Sequence, residues 1–143
     1  MKLRSVLLIA SLALPACYST RLLRPGEVEP LTARVAPDAR MPTWHAAINV
    51  LLDDGYVPQV LDATAGYIAA RARDDIQNDS LQNTMAIVTI APDGTVRVQV
   101  SGLGQFRSDQ DLVTTVQATQ HKLFDDIMRA VPPPAPAPAP PSS

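Results

Sequence analysis

The distribution of prolines most strongly limits where this chain can fold. Fourteen of the 143 residues are proline, and most lie between residues 25 and 42 or in the last dozen residues. Proline fixes φ and lacks an N–H donor, so a proline-rich stretch cannot continue a helix or a central strand. Residues 41–130 are therefore the part predicted to build a compact domain. That length is near the lower end of what folds on one hydrophobic core.

The first 16 residues resemble a secretory signal. Lys2 and Arg4 make the start positive, and the segment from Ser5 to Leu14 is almost wholly apolar. This apolar run is shorter than the roughly 20 residues that a membrane-spanning helix needs. The alternative is a buried N-terminal helix, but Pro15 ends the run and no amphipathic face is visible.

The sequence Leu14-Pro15-Ala16-Cys17 resembles the lipobox of bacterial lipoproteins. The resemblance covers the first 17 residues, and Pro15 replaces the small or hydroxyl residue usual at its position. It implies cleavage between Ala16 and Cys17, a diacylglycerol thioether on Cys17 and acylation of the new amino terminus. In this family an aspartate after the cysteine favours the inner membrane. Tyr18 stands there instead, which favours the periplasmic face of the outer membrane.

The segments on either side of the domain are predicted to lack a regular fold. Residues 17–40 are expected to be the lipidated cysteine and an extended tether, with a possible edge strand at Leu31–Val35. Residues 131–143 alternate proline and alanine without charge, which predicts a disordered tail biased to polyproline II. The tail is either a docking segment or spacer, or an inert extension.

Two helices are predicted at the ends of the domain. Residues 43–54 follow Pro42 and place an apolar face at spacings of three and four, before a stop at Gly55. That face consists of Trp44, Ile48, Leu51 and Leu52. The second helix runs from a capping serine, Ser108, to about residue 129. Its apolar face consists of Leu112, Val116, Leu123, Phe124 and Ile127.

Four strands are predicted between the helices. They cover residues 56–62, 67–73, 85–90 and the stretch that alternates valine with polar residues from Val96 to Ser101. Asp93-Gly94 is a hairpin signal, and residues 74–83 are expected to be a loop. The prediction is an α+β fold in the order α-β-β-β-β-α, with a small antiparallel four-stranded sheet. In element order alone, it resembles small lipoprotein domains of outer-membrane assembly.

The composition argues against several classes of partner. Lys2 and Arg4 belong to the predicted signal, so 10 of the 12 basic residues remain against 14 acidic ones, a net charge of −4. No basic cluster survives, which argues against nucleic acid. The single cysteine excludes an internal disulfide.

Few residues suggest catalytic or metal chemistry. His45 and His121 lack a second ligand at metal-binding spacing, and the adjacent acid pairs point in different directions on a helix. Gly102-Leu103-Gly104 is a lone Gly-x-Gly, assigned to a loop between strand and helix. We therefore expect no enzyme activity, cofactor or metal.

The strongest candidate surface is a polar sheet face carrying Arg71, Arg73, Arg97 and Gln99. Arginine recognises carboxylates and phosphates. The alternative interpretation is an ordinary solvated sheet face. Two functions follow as hypotheses: a membrane-anchored, non-catalytic adaptor in an envelope complex, or a binding module for peptidoglycan or lipid A phosphate.

Overall fold

The computed structural model describes residues 19–23, 27–73, 81–106 and 108–133. The expectations for Ala16, Cys17 and most of the proline tail lie outside these ranges, as does most of the predicted loop at residues 74–83. Within the ranges, the fold is α+β, with one antiparallel sheet and two helices. This confirms the predicted fold class.

Six strands precede or separate the two helices in a different order from the one expected. The strands are β1 (Ser19–Leu22), β2 (Leu31–Arg34), β3 (Tyr56–Asp62), β4 (Tyr67–Ala72), β5 (Leu81–Ile90) and β6 (Thr95–Phe106). A 3-10 turn at Pro37–Ala39 leads directly into α1 (Arg40–Asp53), and α2 (Asp109–Ala130) follows β6. The order is therefore β-β-α-β-β-β-β-α, so the predicted α-β-β-β-β-α order is wrong.

The sheet is wider than the four strands predicted. Its order is β1-β6-β5-β4-β3, and β2 also pairs with β6. β1 pairs with residues 103–106 of β6 and β2 with residues 95–98, so two short strands share one edge position. Five strand positions result from six strands.

The two additional strands lie within the range that the sequence assigned to a tether. Ser19–Leu22 shows no apolar alternation, so its strand depends on pairing with β6 rather than on propensity. Leu31–Arg34 alternates half-buried and exposed side chains and lies within Leu31–Val35, where the sequence predicted a possible edge strand. Leu23 and Val28, between the strands, are buried in the core. The folded part of the chain therefore includes stretches on the N-terminal side of residue 41.

The opposite edge of the sheet is β3. The sequence placed a strand at residues 56–62 and Pro58 at an edge, and the structure confirms both. The pairing with β4 shifts register between Pro58 and Val60. This is a β-bulge in which Gln59 is the extra residue without a partner position on β4. A proline and a bulge both discourage another strand from adding to this edge.

The β5–β6 hairpin is the centre of the fold. Asp93 accepts from the Thr95 backbone N–H at 3.0 Å, and Gly94 has φ of 81°, where a Cβ would collide with the Val35 carbonyl. Both strands are longer than predicted. Gly102 and Gly104 lie inside β6 rather than in a loop, so that assignment was wrong. Pairing with β1 and β5 on both sides stabilises Gly104 despite the low strand propensity of glycine.

Both helices cover the same face of the sheet. α1 buries Thr43, Ala47 and Leu51, while α2 buries Leu112, Val116, Gln120, Leu123 and Ile127. They meet a sheet surface built from alternate positions of the central strands: Ile68, Ala70, Ala72, Ala86, Val88, Ile90, Val96, Val98 and Val100. Leu52 was expected on the inner face of α1 but is exposed, because it lies about 100° round the helix from Leu51.

The start of each helix is fixed by a specific contact. Arg40 donates from Nε to the Ile90 carbonyl at 3.1 Å and from Nη2 to the Thr64 carbonyl at 2.7 Å. The Ser108 hydroxyl accepts from the Asp111 backbone N–H at 3.2 Å, which confirms the predicted cap of α2.

Candidate interaction face

The face of the sheet opposite the helices, here called the open face, has no layer of described residues above it. Its side chains alternate along each strand with those of the core, so the odd-numbered residues 95–101 of β6 point to it. The register aligns it into three rows across the sheet. They are Val57-Arg71-Met85-Ser101, Val60-Ala69-Ile87-Gln99 and Asp62-Tyr67-Thr89-Arg97-Thr32.

The middle of the open face is apolar. Val60 is 49% exposed at the edge, Ile87 is half-buried, and Ala69 between them is buried by its larger neighbours. Met85 and Val57 extend this apolar area into the next row. A fully solvated sheet face would be polar throughout, so the central row is unusual for a surface that only meets water.

The predicted arginines reach the open face but do not form one cluster. Arg71 and Arg97 are exposed, and Gln99 is half-buried beside the apolar middle. Arg71 and Arg97 are separated by four residues along the strands and two strand spacings. Their Cα atoms are therefore about 16 Å apart, at about 3.3 Å per residue and 4.8 Å per strand.

Arg73 follows β4 and lies beside Arg71. Its backbone N–H donates to the Gly55 carbonyl at 3.0 Å, which continues the β3–β4 pairing. Arg71, Arg73, Val57, Gln59 and Ala72 line a shallow pocket with a volume of ≈ 300 Å³. One corner of the open face thus has two neighbouring guanidinium groups, and the diagonal corner has Arg97.

A bulge in β5 holds Arg71 in place. The register with β6 shifts between Gln82 and Met85, and Asn83 within it has φ of 49°, in the left-handed region. The Asn83 carbonyl Oδ1 accepts from Arg71 Nη2 at 2.9 Å. Asparagine is among the few residues that tolerate this backbone conformation. The sequence analysis assigned Asn83 to a loop and missed this contact, although asparagine before a β-branched stretch was the available signal.

The gap between β1 and β2 opens a cleft beside β6. It has a volume of ≈ 360 Å³, and its lining includes Leu22, Leu23, Val28 and Ile87. Leu22 is 62% exposed at its mouth. The cleft joins the apolar middle of the open face, so the exposed apolar surface continues to this edge.

A buried glutamine closes the bottom of the same gap. Gln120 Oε1 accepts from the Val100 backbone N–H at 2.9 Å, and its Nε2 donates to the Glu29 carbonyl at 2.7 Å. The side-chain amide therefore supplies one acceptor and one donor where a continuous edge strand would place a peptide group. The sequence alone did not single out Gln120, because its tertiary partners are 20 and 91 residues away in the chain.

The helix layer, formed by α1 and α2, carries more acidic than basic side chains, unlike the arginine-bearing open face. Lys122 Nζ lies 2.7 Å from Asp54 Oδ1 and 2.8 Å from Asp126 Oδ2, and Arg129 Nη1 lies 2.7 Å from Asp126 Oδ1. The hydrogen bond that Lys122 donates to Asp126 lowers the pKa of Asp126, and the hydrogen bonds that Lys122 donates to Asp126 and Asp54 raise the pKa of Lys122. Burial, with the nearby Asp54 charge, raises the pKa of Tyr56. The Lys122–Asp54 contact ties α2 to the end of α1.

The other residues considered for chemistry lie apart. His45 and His121 are exposed on different helices. Trp44 packs against the core, and its ring meets the His45 ring in an edge-to-face arrangement with the ring centroids 5.3 Å apart. Within the described ranges, no group of three or more His, Cys, Asp and Glu side chains is placed to bind a metal ion. Neither helix in those ranges has the length and apolar character needed to span a lipid bilayer.

Comparison with known proteins assigns no family. A scan against models of protein families and a search of curated proteins both find no match. The function proposed for this chain therefore depends on its own residues and on the geometry of the open face.

Proposed function

We propose that this chain is a bacterial envelope lipoprotein that acts as a non-catalytic adaptor. Lipid on Cys17 holds the mature protein at a membrane, and the open face of the α+β domain binds a protein partner. The lipobox-like Leu14-Pro15-Ala16-Cys17 and the preceding charged and apolar segment support the anchor. Tyr18 after the cysteine supports the periplasmic face of the outer membrane.

The apolar middle of the open face is the observation that carries the adaptor role. Val60 and Ile87 expose apolar surface on the sheet face away from the helices, whereas the helices bury the central strands of the other face. Protein interfaces combine an apolar centre with a polar rim. Arg71, Arg97 and Gln99 supply that rim here.

The anchor is tested by replacing the cysteine. A Cys17→Ser variant should accumulate as an unprocessed precursor without lipid, because the thiol that accepts the diacylglycerol is gone. Mass spectrometry of the membrane fraction measures both cleavage and lipid mass. A variant that is cut before residue 17 as efficiently as the wild-type chain would contradict a lipoprotein assignment.

The adaptor role is tested by crosslinking in intact cells. We expect the wild-type chain to be joined reproducibly to one envelope protein, identified by mass spectrometry. The Cys17→Ser variant, which is not delivered to the same membrane, should lose that product. Crosslinks spread over abundant envelope proteins in both forms would count against an adaptor.

The corner that holds Arg71 and Arg73 favours a second candidate, binding of an anionic envelope ligand such as lipid A phosphate or peptidoglycan. Two guanidinium groups beside one pocket provide charge-assisted donors for such an anion. Arg71→Gln with Arg73→Gln should then abolish binding to lipopolysaccharide or isolated peptidoglycan, while Arg97→Gln should not. Equal binding by both variants would exclude this candidate.

A further inference from the structure

We infer that the open face binds an amphipathic segment of the partner polypeptide, with carboxylates at both ends of an apolar stripe. The inference rests on the proposed adaptor function and specifies the chemistry of its partner. Three features support it: the apolar row, the placement of the arginines and the distribution of charge over the domain.

The apolar row sets the shape of the bound segment. Val60, Ala69 and Ile87 lie side by side on three neighbouring strands. The row is only about 10 to 15 Å long at 4.8 Å per strand, which suits one helix or one strand rather than a second globular core. An apolar stripe on the segment would cover the exposed parts of Val60 and Ile87.

The two arginine corners set the charges of the segment. Arg71 and Arg97 lie on opposite sides of the apolar row, with Cα atoms about 16 Å apart. A helix covers that distance in about three turns. A segment that crosses the row diagonally therefore meets one arginine near each end, and a carboxylate at each position would form two charge-assisted contacts.

One of these arginines is already positioned before binding. Asn83, at the bulge of β5, accepts from Arg71 at 2.9 Å. A guanidinium group that is already held in place loses less conformational freedom when it binds a carboxylate. The contact leaves Arg71 exposed on the open face.

The charge distribution favours an acidic partner over a basic one. α1, α2 and the residue after α1 carry Asp53, Asp54, Asp109, Asp111, Asp125 and Asp126 against Arg40, Lys122 and Arg129. The rows of the open face carry Arg71 and Arg97 against Asp62. An acidic segment is therefore attracted to the open face and repelled by the helix layer.

A lone phosphate-bearing ligand fits this arrangement less well. Phosphate recognition uses guanidinium groups that converge on one anion. Arg71 and Arg73 line one pocket and can converge on a phosphate, but Arg97 is too far away to join them and the apolar row would remain exposed to water. A polypeptide that covers the row engages both corners at once.

Site-specific photocrosslinking of the full chain in cells tests the inference. A photoreactive amino acid replaces Val60 on the open face or, in a separate variant, Gln117 on the exposed side of α2. Mass spectrometry then identifies the residues joined to it. We expect Val60 to be joined to a partner segment with apolar residues flanked by Asp or Glu, and Gln117 to give little product.

Matched variants connect the product to the arginines. Arg71→Gln with Arg97→Gln should reduce the Val60 product at least about tenfold, because two charge-assisted contacts are lost. Arg129→Gln removes the same type of charge from the helix layer and should leave the yield unchanged. Asn83→Gly keeps a residue that accepts the positive φ but removes the acceptor for Arg71, so it should lower the yield partially.

The outcomes separate this inference from the adaptor role. A product from Gln117 but none from Val60 would be consistent with an adaptor role but would exclude the open face as its binding surface. No protein product from either position would count against both. A Val60 product joined to lipid, joined to a segment without carboxylates or unaffected by loss of both arginines would overturn the inference.

Discussion

The two faces of the sheet differ in how completely they are used for folding. On the covered face, Val88, Val96 and Val98 are fully buried beneath two helices. On the open face, the alternate residues of the same strands keep part of their surface in water, as Ile87 and Arg97 do. One β-strand thus contributes to two surfaces with different roles, because successive side chains point to opposite sides.

This difference shows where sequence change should affect stability and where it should affect binding. Residues of the covered face are already buried when the domain folds. Their burial therefore contributes to the stability of the domain and not to binding of a partner. Val60 and Ile87 on the open face remain partly exposed after folding, so a partner can bury their remaining apolar surface. The comparison predicts separate effects of mutations on the two faces.

The largest expected effect is in the core between α2 and the covered face. Ile127→Ala should lower the free energy of unfolding by about 3 kcal/mol, because it leaves a cavity between α2 and the sheet. Ile87→Ala, the same substitution on the open face, should cost about 1 kcal/mol. Denaturant unfolding of the purified domain measures both. Equal costs would mean that the open face is as well packed as the core.

A smaller but distinct loss is expected at Gln120. Gln120→Leu keeps the volume of the side chain but leaves the Val100 N–H and the Glu29 carbonyl without their partner. Unsatisfied buried groups cost about 1 to 3 kcal/mol, so we expect a loss of roughly 2 kcal/mol.

Gln117→Leu, on the exposed side of α2, is the control and should change stability by less than about 0.5 kcal/mol. Amide hydrogen exchange gives an independent measurement, since the Val100 amide should exchange faster in Gln120→Leu. A stable variant with an unchanged Val100 amide would show that the glutamine does not close the gap.

The smallest expected effect is electrostatic. Lys122→Gln removes the ion pairs of this side chain with Asp54 and Asp126. Arg97→Gln removes a charge that forms no ion pair with any described residue. The stability difference between wild type and Lys122→Gln should therefore depend on pH and on salt, and that for Arg97→Gln should not.

The direction of the pH dependence follows from the shifted groups. Asp126 has a lowered pKa, so its contribution is present above its ordinary value of 3.8 and is lost as the pH falls through the lowered pKa. Lys122 has a raised pKa, so its contribution is present below 10.5 and is lost as the pH rises through the raised pKa. Unfolding curves across pH should show the largest difference between these limits; a difference that grows towards acid would contradict the ion pairs.

The parts of the fold that the sequence predicted are those with strong local periodicity. Val96, Val98 and Val100 alternate with polar residues and form a half-buried strand, and Ser108 caps α2. The missed strand, Ser19–Leu22, has no such signal and forms because β6 extends far enough to pair with it. Long-range pairing also explains why β6 continues through two glycines that favour a loop.

The candidate site was predicted in part for the same reason. Alternation placed Arg71, Arg97 and Gln99 on one face, but only the register between strands shows that the two arginines lie on opposite sides of an apolar row. Asn83 and Gln120 act through tertiary hydrogen bonds that no local pattern encodes. Residue type and spacing therefore identified the face, while its layout required the fold.

The position of β1 affects how the domain meets its partner. β1 begins at Ser19, two residues after Cys17, and pairs at once with the far end of β6. Two extended residues span at most about 7 Å. With lipid on Cys17, this short connection would hold the corner of the sheet close to the bilayer, whereas a long flexible linker would let the domain move away from it. Encounters would then be confined to a thin layer of the membrane surface, and a partner would have to present its acidic segment within that layer.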